Sequence, residues 1–140
     1  MLKMRSMVDD AERATGPVWA CPGDPRVTRI GAILRKLRID ELPQLFNVLG
    51  GQMSLVGPRP ERACFVEQFE REAPLYRLRH AVRPGITGWA QVRMGYAATQ
   101  TDGLIKLEYD LYYVKNLSLL LDISIMASTV RTVLLGRGGR

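Results

Sequence analysis

Two adjacent carboxylates, Asp40 and Glu41, lie in the stretch LRIDELPQLFNVLGGQMSLVGPRP, which runs from Leu37 to Pro60. Neighbouring carboxylates can share Mg²⁺, a hard ion that prefers oxygen ligands and keeps waters or substrate phosphates in its other positions. The pair can then divide the work: one oxygen attacks phosphorus while its neighbour helps hold the metal. The stretch ends with Arg59 between Pro58 and Pro60. Proline on both sides pins the backbone in an extended form, so the guanidinium is presented with little backbone freedom to lose. A guanidinium also meets phosphate through two parallel hydrogen bonds, which an ammonium cannot do. These residues suit metal-assisted chemistry on a phosphate. Each has a plainer reading as well. Asp at an N-cap, Glu next to it and proline in the first turn start many helices for stability alone, and an arginine in a surface turn can simply be solvated.

Basic residues surround the pair. Arg26, Arg29, Arg35, Lys36 and Arg38 follow Asp24 with no acid before Asp40. A second acid-free window, between Glu72 and Asp102, holds Arg77, Arg79, Arg83 and Arg93, with His80 among them. Thr87 and Gly88 sit in a loop there whose amides could face an anion. The windows read either as anion-binding walls or as solvated basic faces. His80 reads as a structural residue, and Trp89 as a core residue or a ring that could stack on a base. Asp110 borders an apolar stripe and is expected to pair with one of the arginines, or else to contact metal or substrate. Tyr109, Tyr112 and Tyr113 suit a core rim or a lipid–water boundary.

With 140 residues, 46% of them apolar and 24% charged, the chain is expected to form one domain, spanning 1–140, rather than a disordered segment. A net charge of +6 favours anionic partners, whether nucleic acid, nucleotide or an acidic membrane surface. Cys21 and Cys64 are far apart and stand in no CxxC spacing, which reads as two reduced thiols. No secretory signal precedes the first charges, and no apolar run approaches the roughly 18 residues needed to span a bilayer. Asp122 interrupts the nearest candidate, Leu117 to Ala127.

The elements that must position these residues follow from periodicity and caps. Asp24 and Pro25 are expected to open a helix whose Val27, Ile30, Leu34 and Leu37 face inward. A second helix is expected from Asp40, burying Leu42, Leu45, Phe46 and Leu49 before Gly50-Gly51 ends it. Gln52 to Val56 reads as a short strand that GPRP turns, and Glu61 to Glu72 as a third helix with Phe65, Val66 and Phe69 inward. A brief helix over Leu75 to His80 and a strand within Ile86 to Val92 follow, then a loop from Arg93 to Thr101. Asp102 caps a fourth helix with Leu104, Leu107, Leu111 and Val114 on one stripe. Ser118 caps a fifth, with Leu119, Leu120, Ile123, Met126, Ala127, Val130 and Leu134 as its apolar face. The opening LKMRSM has strand-like content but nothing before it to pair with. The class is α+β and α-rich: about five helices with a few short strands in a single compact domain.

Three segments, RIDELPQLFNVLGGQMSLVGPRPE, RHAVRPGITGWAQV and KLEYDLYYVKNLSLLLDISIM, occur in that order. They resemble the catalytic core of the bacterial sugar transferases, the monotopic polyprenyl-phosphate phosphoglycosyl transferases that begin exopolysaccharide and O-antigen repeat units. KMRSMVDDAE and QVRMGYAA most resemble the exopolysaccharide branch. The resemblance implies transfer of sugar 1-phosphate from a nucleoside-diphosphate sugar, usually a UDP-sugar, to polyprenyl phosphate. It further implies Mg²⁺ and a phosphosugar intermediate on the aspartate of the Asp-Glu pair. Carried over, Asp40 is the nucleophile and Glu41 its metal-linked partner. Arg59 and Arg83 fall at positions that hold phosphate or nucleotide, and Arg35 at a basic position ahead of the pair. The place implied is the cytoplasmic face of the inner membrane. In the family a re-entrant membrane helix precedes the KxRSM motif, so this chain is expected to be truncated at its N-terminus. The competing expectations are an inactive remnant that binds nucleotide or a partner, and a basic nucleic-acid-binding module. The clustering of basic residues around two carboxylates argues against the latter.

Overall fold

The computed structural model describes residues 1–13, 16–21, 23–94 and 100–134. Among them run six α-helices: α1 (Arg29–Lys36), α2 (Gln44–Leu49), α3 (Ala63–Glu72), α4 (Trp89–Met94), α5 (Gln100–Lys115) and α6 (Leu119–Leu134). Two 3₁₀ turns, Ile39–Glu41 and Tyr76–Ala81, and two strands, β1 (Ser54–Val56) and β2 (Gly85–Thr87), complete the order. The expected α-rich α+β class is the one observed.

The strands pair in parallel, Ser54 against Gly85 and Val56 against Thr87, with α3 and the second 3₁₀ turn in the crossover, as parallel pairing requires. The chain leaves β1 tightly packed: a Cβ on Gly85 would lie 2.1 Å from the Gly57 nitrogen. Only glycine lets the two backbones approach this closely. This contact places the turn that carries Arg59. The apolar core has two parts. Val56, Tyr113 and Ile125 join β1, α5 and α6, with Trp89 and Val92 of α4 packed on them. Phe69, Tyr76 and Leu107 join α3, the second 3₁₀ turn and α5, with Trp19, Phe65 and Val66 alongside. Tyr113 is anchored in the first part by donating to Asp122 at 2.8 Å.

Several expectations are corrected. The first helix starts at Arg29, not at Asp24: Thr28 is its N-cap and accepts from the Gly31 amide at 2.9 Å. Asp24 instead accepts from the Arg26 amide and guanidinium, closing its own turn. The expected strand over Ile86 to Val92 ends at Thr87, and Trp89–Met94 is a helix. That helix takes the first residues of the expected 93–101 loop, whose residues 95–99 lie outside those described. On α6 the fully buried residue is Ile125, while Leu119, Leu120, Ile123 and Val130 are exposed; Leu134's side chain lies outside the described set. The largest correction concerns Ile30, Leu37, Leu42, Leu45, Phe46 and Leu49, all expected inside and all exposed. The opening segment does find partners: Met7 bridges Val27 antiparallel, and the Met4 amide donates to the Asp40 carbonyl at 2.9 Å.

Candidate active site

Asp40 and Glu41 occupy the short 3₁₀ turn rather than a helix N-cap. Arg38 precedes it in the left-handed region, φ 57°, a conformation costly for a side chain with a Cβ and one that recurs at functional sites. The turn carries the two carboxylates inward: Asp40 is 3% and Glu41 7% exposed. Buried carboxylates need cations and hydrogen bonds to remain charged. Lys3 reaches Asp40 at 3.1 Å and Glu41 at 3.5 Å, bridging the pair. Arg59 takes Glu41 with both guanidinium Nη atoms, one on each carboxylate oxygen, and Arg38 lies 3.6 Å from Glu41. Burial alone would raise the Glu41 pKa. The Arg59 hydrogen bonds and the charges of Arg59, Lys3 and Arg38 outweigh it and hold the group down at about 2, so Glu41 is an anion across the physiological range.

The structure thus brings Asp40, Glu41 and Arg59 together. It adds Lys3, which the residue-level reading missed; the pairing spans more than thirty positions, and its only sequence signal was the KMRSM resemblance. Arg35 and Arg83 stand otherwise. Arg35 donates to the Ser6 hydroxyl at 2.8 Å, tying the opening segment to α1. Arg83 is exposed on the segment entering β2, its guanidinium beside the Gly51 turn, while its carbonyl lies close against Gly57. Asp110 pairs with Arg79, and His80 sits edge-on to Tyr76 at 6.0 Å.

Among the described residues no group of three or more His, Cys, Asp or Glu side chains gathers as a metal site. Two adjacent carboxylates do offer the oxygen donors that Mg²⁺ prefers, and a substrate's phosphates and waters can complete its shell; the donor set fits. Glu41 and Arg38 also open onto a cleft of about 210 Å³ whose other walls include Leu42, Leu45, Ile86, Val92 and Val133, with Thr87 and Gln91. Glu41 and Arg38 thus stand at the charged side of a cleft whose other walls are largely apolar.

The fold and this site define a small α+β domain built around a buried, cation-clasped pair of carboxylates. Residues 1–136 match the family of bacterial sugar transferases, and the chain belongs to it. It is 59% identical over 138 residues to an Aeromonas hydrophila protein named UDP-N-acetylgalactosamine-undecaprenyl-phosphate N-acetylgalactosaminephosphotransferase, covering 99% of this chain and 32% of that one. A Xanthomonas campestris UDP-glucose:undecaprenyl-phosphate glucose-1-phosphate transferase is 46% identical, with 96% and 28% covered. An exopolysaccharide production protein, PSS, of Rhizobium leguminosarum is 44% identical, with 91% and 66% covered. The chain therefore spans about a third of the length of the first two relatives.

Proposed function

We propose that this chain carries the catalytic step by which sugar 1-phosphate passes from a UDP-sugar to a polyprenyl phosphate. An Asp40 oxygen attacks the phosphorus that bears the sugar. The bond from that phosphorus to the bridging oxygen breaks, UMP leaves with the oxygen, and a phosphosugar remains on Asp40. A polyprenyl phosphate oxygen then attacks the same phosphorus, freeing Asp40 and giving a polyprenyl diphosphate sugar. Lys3, Arg38 and Arg59 already balance the carboxylates, so an arriving phosphate can exchange partners within a preassembled ring of cations instead of entering an unprepared site. Asp40 and Glu41 would hold Mg²⁺, which would supply positive charge against the substrate phosphates. Arg83, at the mouth of β2, is placed to turn toward the nucleotide, and Arg35 ties down the opening segment that carries Lys3.

The observation that supports this reading most is the buried Asp40–Glu41 pair clasped by Lys3 and Arg59. The exposed apolar residues of 30–49, flanked by exposed Arg29 and Lys36, fit a seat on an anionic lipid surface. Among the described residues no helix is long and apolar enough to cross a membrane. The test is UMP release from UDP-sugar with Mg²⁺ and polyprenyl phosphate. Asp40→Asn is expected to abolish release with the fold intact; equal rates for variant and wild type would remove Asp40 from its role. Binding of UDP-sugar without release would favour the inactive remnant.

A further inference from the structure

A buried guanidinium stands directly behind the Arg59 turn. Arg79, on the 3₁₀ turn Tyr76–Ala81, is 2% exposed. Its Nε and Nη2 donate to Asp110 Oδ2 at 3.0 and 2.7 Å, and its Nη1 donates to the Tyr76 hydroxyl at 2.7 Å. Nη2 also donates to the main-chain carbonyl of Arg59 at 2.8 Å. Asp110, itself 1% exposed, belongs to α5. One turn earlier on the same helix, Lys106 pairs with Glu61. Two α5 residues four apart thus hold the chain at 59, through Arg79, and directly at 61.

The turn needs this help. Pro58 and Pro60 have no amide hydrogen, which leaves the Arg59 amide as the one main-chain donor among these three residues. Its carbonyls are held from outside: that of Pro58 by the Gly85 amide at 3.0 Å, that of Arg59 by Arg79. Stability alone is a weak reason for a buried Arg–Asp pair at this place, because well-packed apolar side chains commonly serve as well. An apolar pair could not, however, donate to the Arg59 carbonyl.

We propose that Arg79 is a positioning residue: locked by Asp110, it fixes the main chain of Arg59 so that the Arg59 guanidinium meets Glu41 and the substrate phosphate, with Lys106–Glu61 as the second anchor. This rests on the reading of Arg59 as a phosphate-handling group. Lysine at 79 would keep a charge against Asp110 but lacks the planar fork that reaches three partners at once.

The test is a double-mutant cycle of Arg79→Lys with Arg59→Ala, read by UMP-release kinetics and by the NMR signal of the Arg59 Nε–H, assigned by its loss in Arg59→Ala. Misplacing Arg59 should lower kcat roughly 10- to 100-fold with little change in KM, with no further loss in the Arg59→Ala background. The Arg59 Nε–H signal should move to the position of a solvated arginine while amide signals of α6 stay in place. If Arg79→Lys does not fold, Arg79→Met with Asp110→Leu replaces the pair by apolar volume and should give the same kinetic and NMR signature. Equal losses in both Arg59 backgrounds, or an unmoved Arg59 signal, would overturn the proposal. A wild-type chain that releases no UMP would count against the transfer reading; the NMR comparison then decides the positioning role by itself.

Discussion

Residues 29–49 and the α3–α5 region fold with opposite polarity. In the second, Phe69, Tyr76 and Leu107 turn inward, and the charges drawn inside come as neutralised pairs, Arg79 with Asp110 and Lys106 with Glu61. In the first, Asp40, Glu41, Gln44 and Asn47 are buried while Phe46 is 70% and Leu49 83% exposed. Burying polar groups costs free energy unless every one is partnered, and exposing leucines forgoes the hydrophobic gain. A segment that does both fits the proposed transfer at a lipid surface: charge is held inside, and the exterior is apolar.

Substitutions at equivalent depth should separate the two regions. Asp40→Asn should lower transfer by about 10⁴-fold or more, as loss of a nucleophile does, while thermal unfolding shows the domain intact. A loss of activity explained entirely by unfolding would erase the distinction. Phe69→Ala should cost about 3–5 kcal/mol of stability through the cavity it leaves, measured by denaturant unfolding. At pH, the first region should show itself again. The Glu41 pKa lies at about 2 in the folded chain against an ordinary 4.5. A depressed carboxylate pKa contributes stability that is fully present above 4.5 and lost as pH falls through 4.5 toward 2. Melting curves should fall across that window by at most about 3 kcal/mol, and Glu41→Gln should flatten the dependence. Phe46→Ala should change stability by no more than about 0.5 kcal/mol yet weaken binding to anionic vesicles. A Phe46 variant as unstable as Phe69→Ala would mean that the polarity is not inverted.

How much of this was legible beforehand follows the same division. Asp40, Glu41 and Arg59 could be singled out because chemistry on phosphate demands particular residue types, and types are what a sequence displays. The helices around Phe69 and Leu107 could be placed because those residues follow the rule that apolar residues face inward, although Leu104 of the same expected stripe is exposed. The same rule misplaced Leu42, Leu45, Phe46 and Leu49, since periodicity identifies an apolar face without saying what covers it. It also favoured a strand where Trp89–Met94 is helical, because short apolar runs fit either period. Asp110 was expected to pair with an arginine, but only the fold could select Arg79 and disclose its bond to the Arg59 carbonyl. Lys3 was reached by long-range pairing that no local pattern announces.

The central claim is that an Asp40 oxygen bonds to phosphorus. The most direct measurement is mass spectrometry of the chain after incubation with UDP-sugar and Mg²⁺, with no polyprenyl phosphate present. The account predicts a mass gain of one sugar phosphate on the peptide containing Asp40, lost on adding polyprenyl phosphate and missing from Asp40→Asn. UMP release without any adduct, or an adduct that persists in Asp40→Asn, would contradict it.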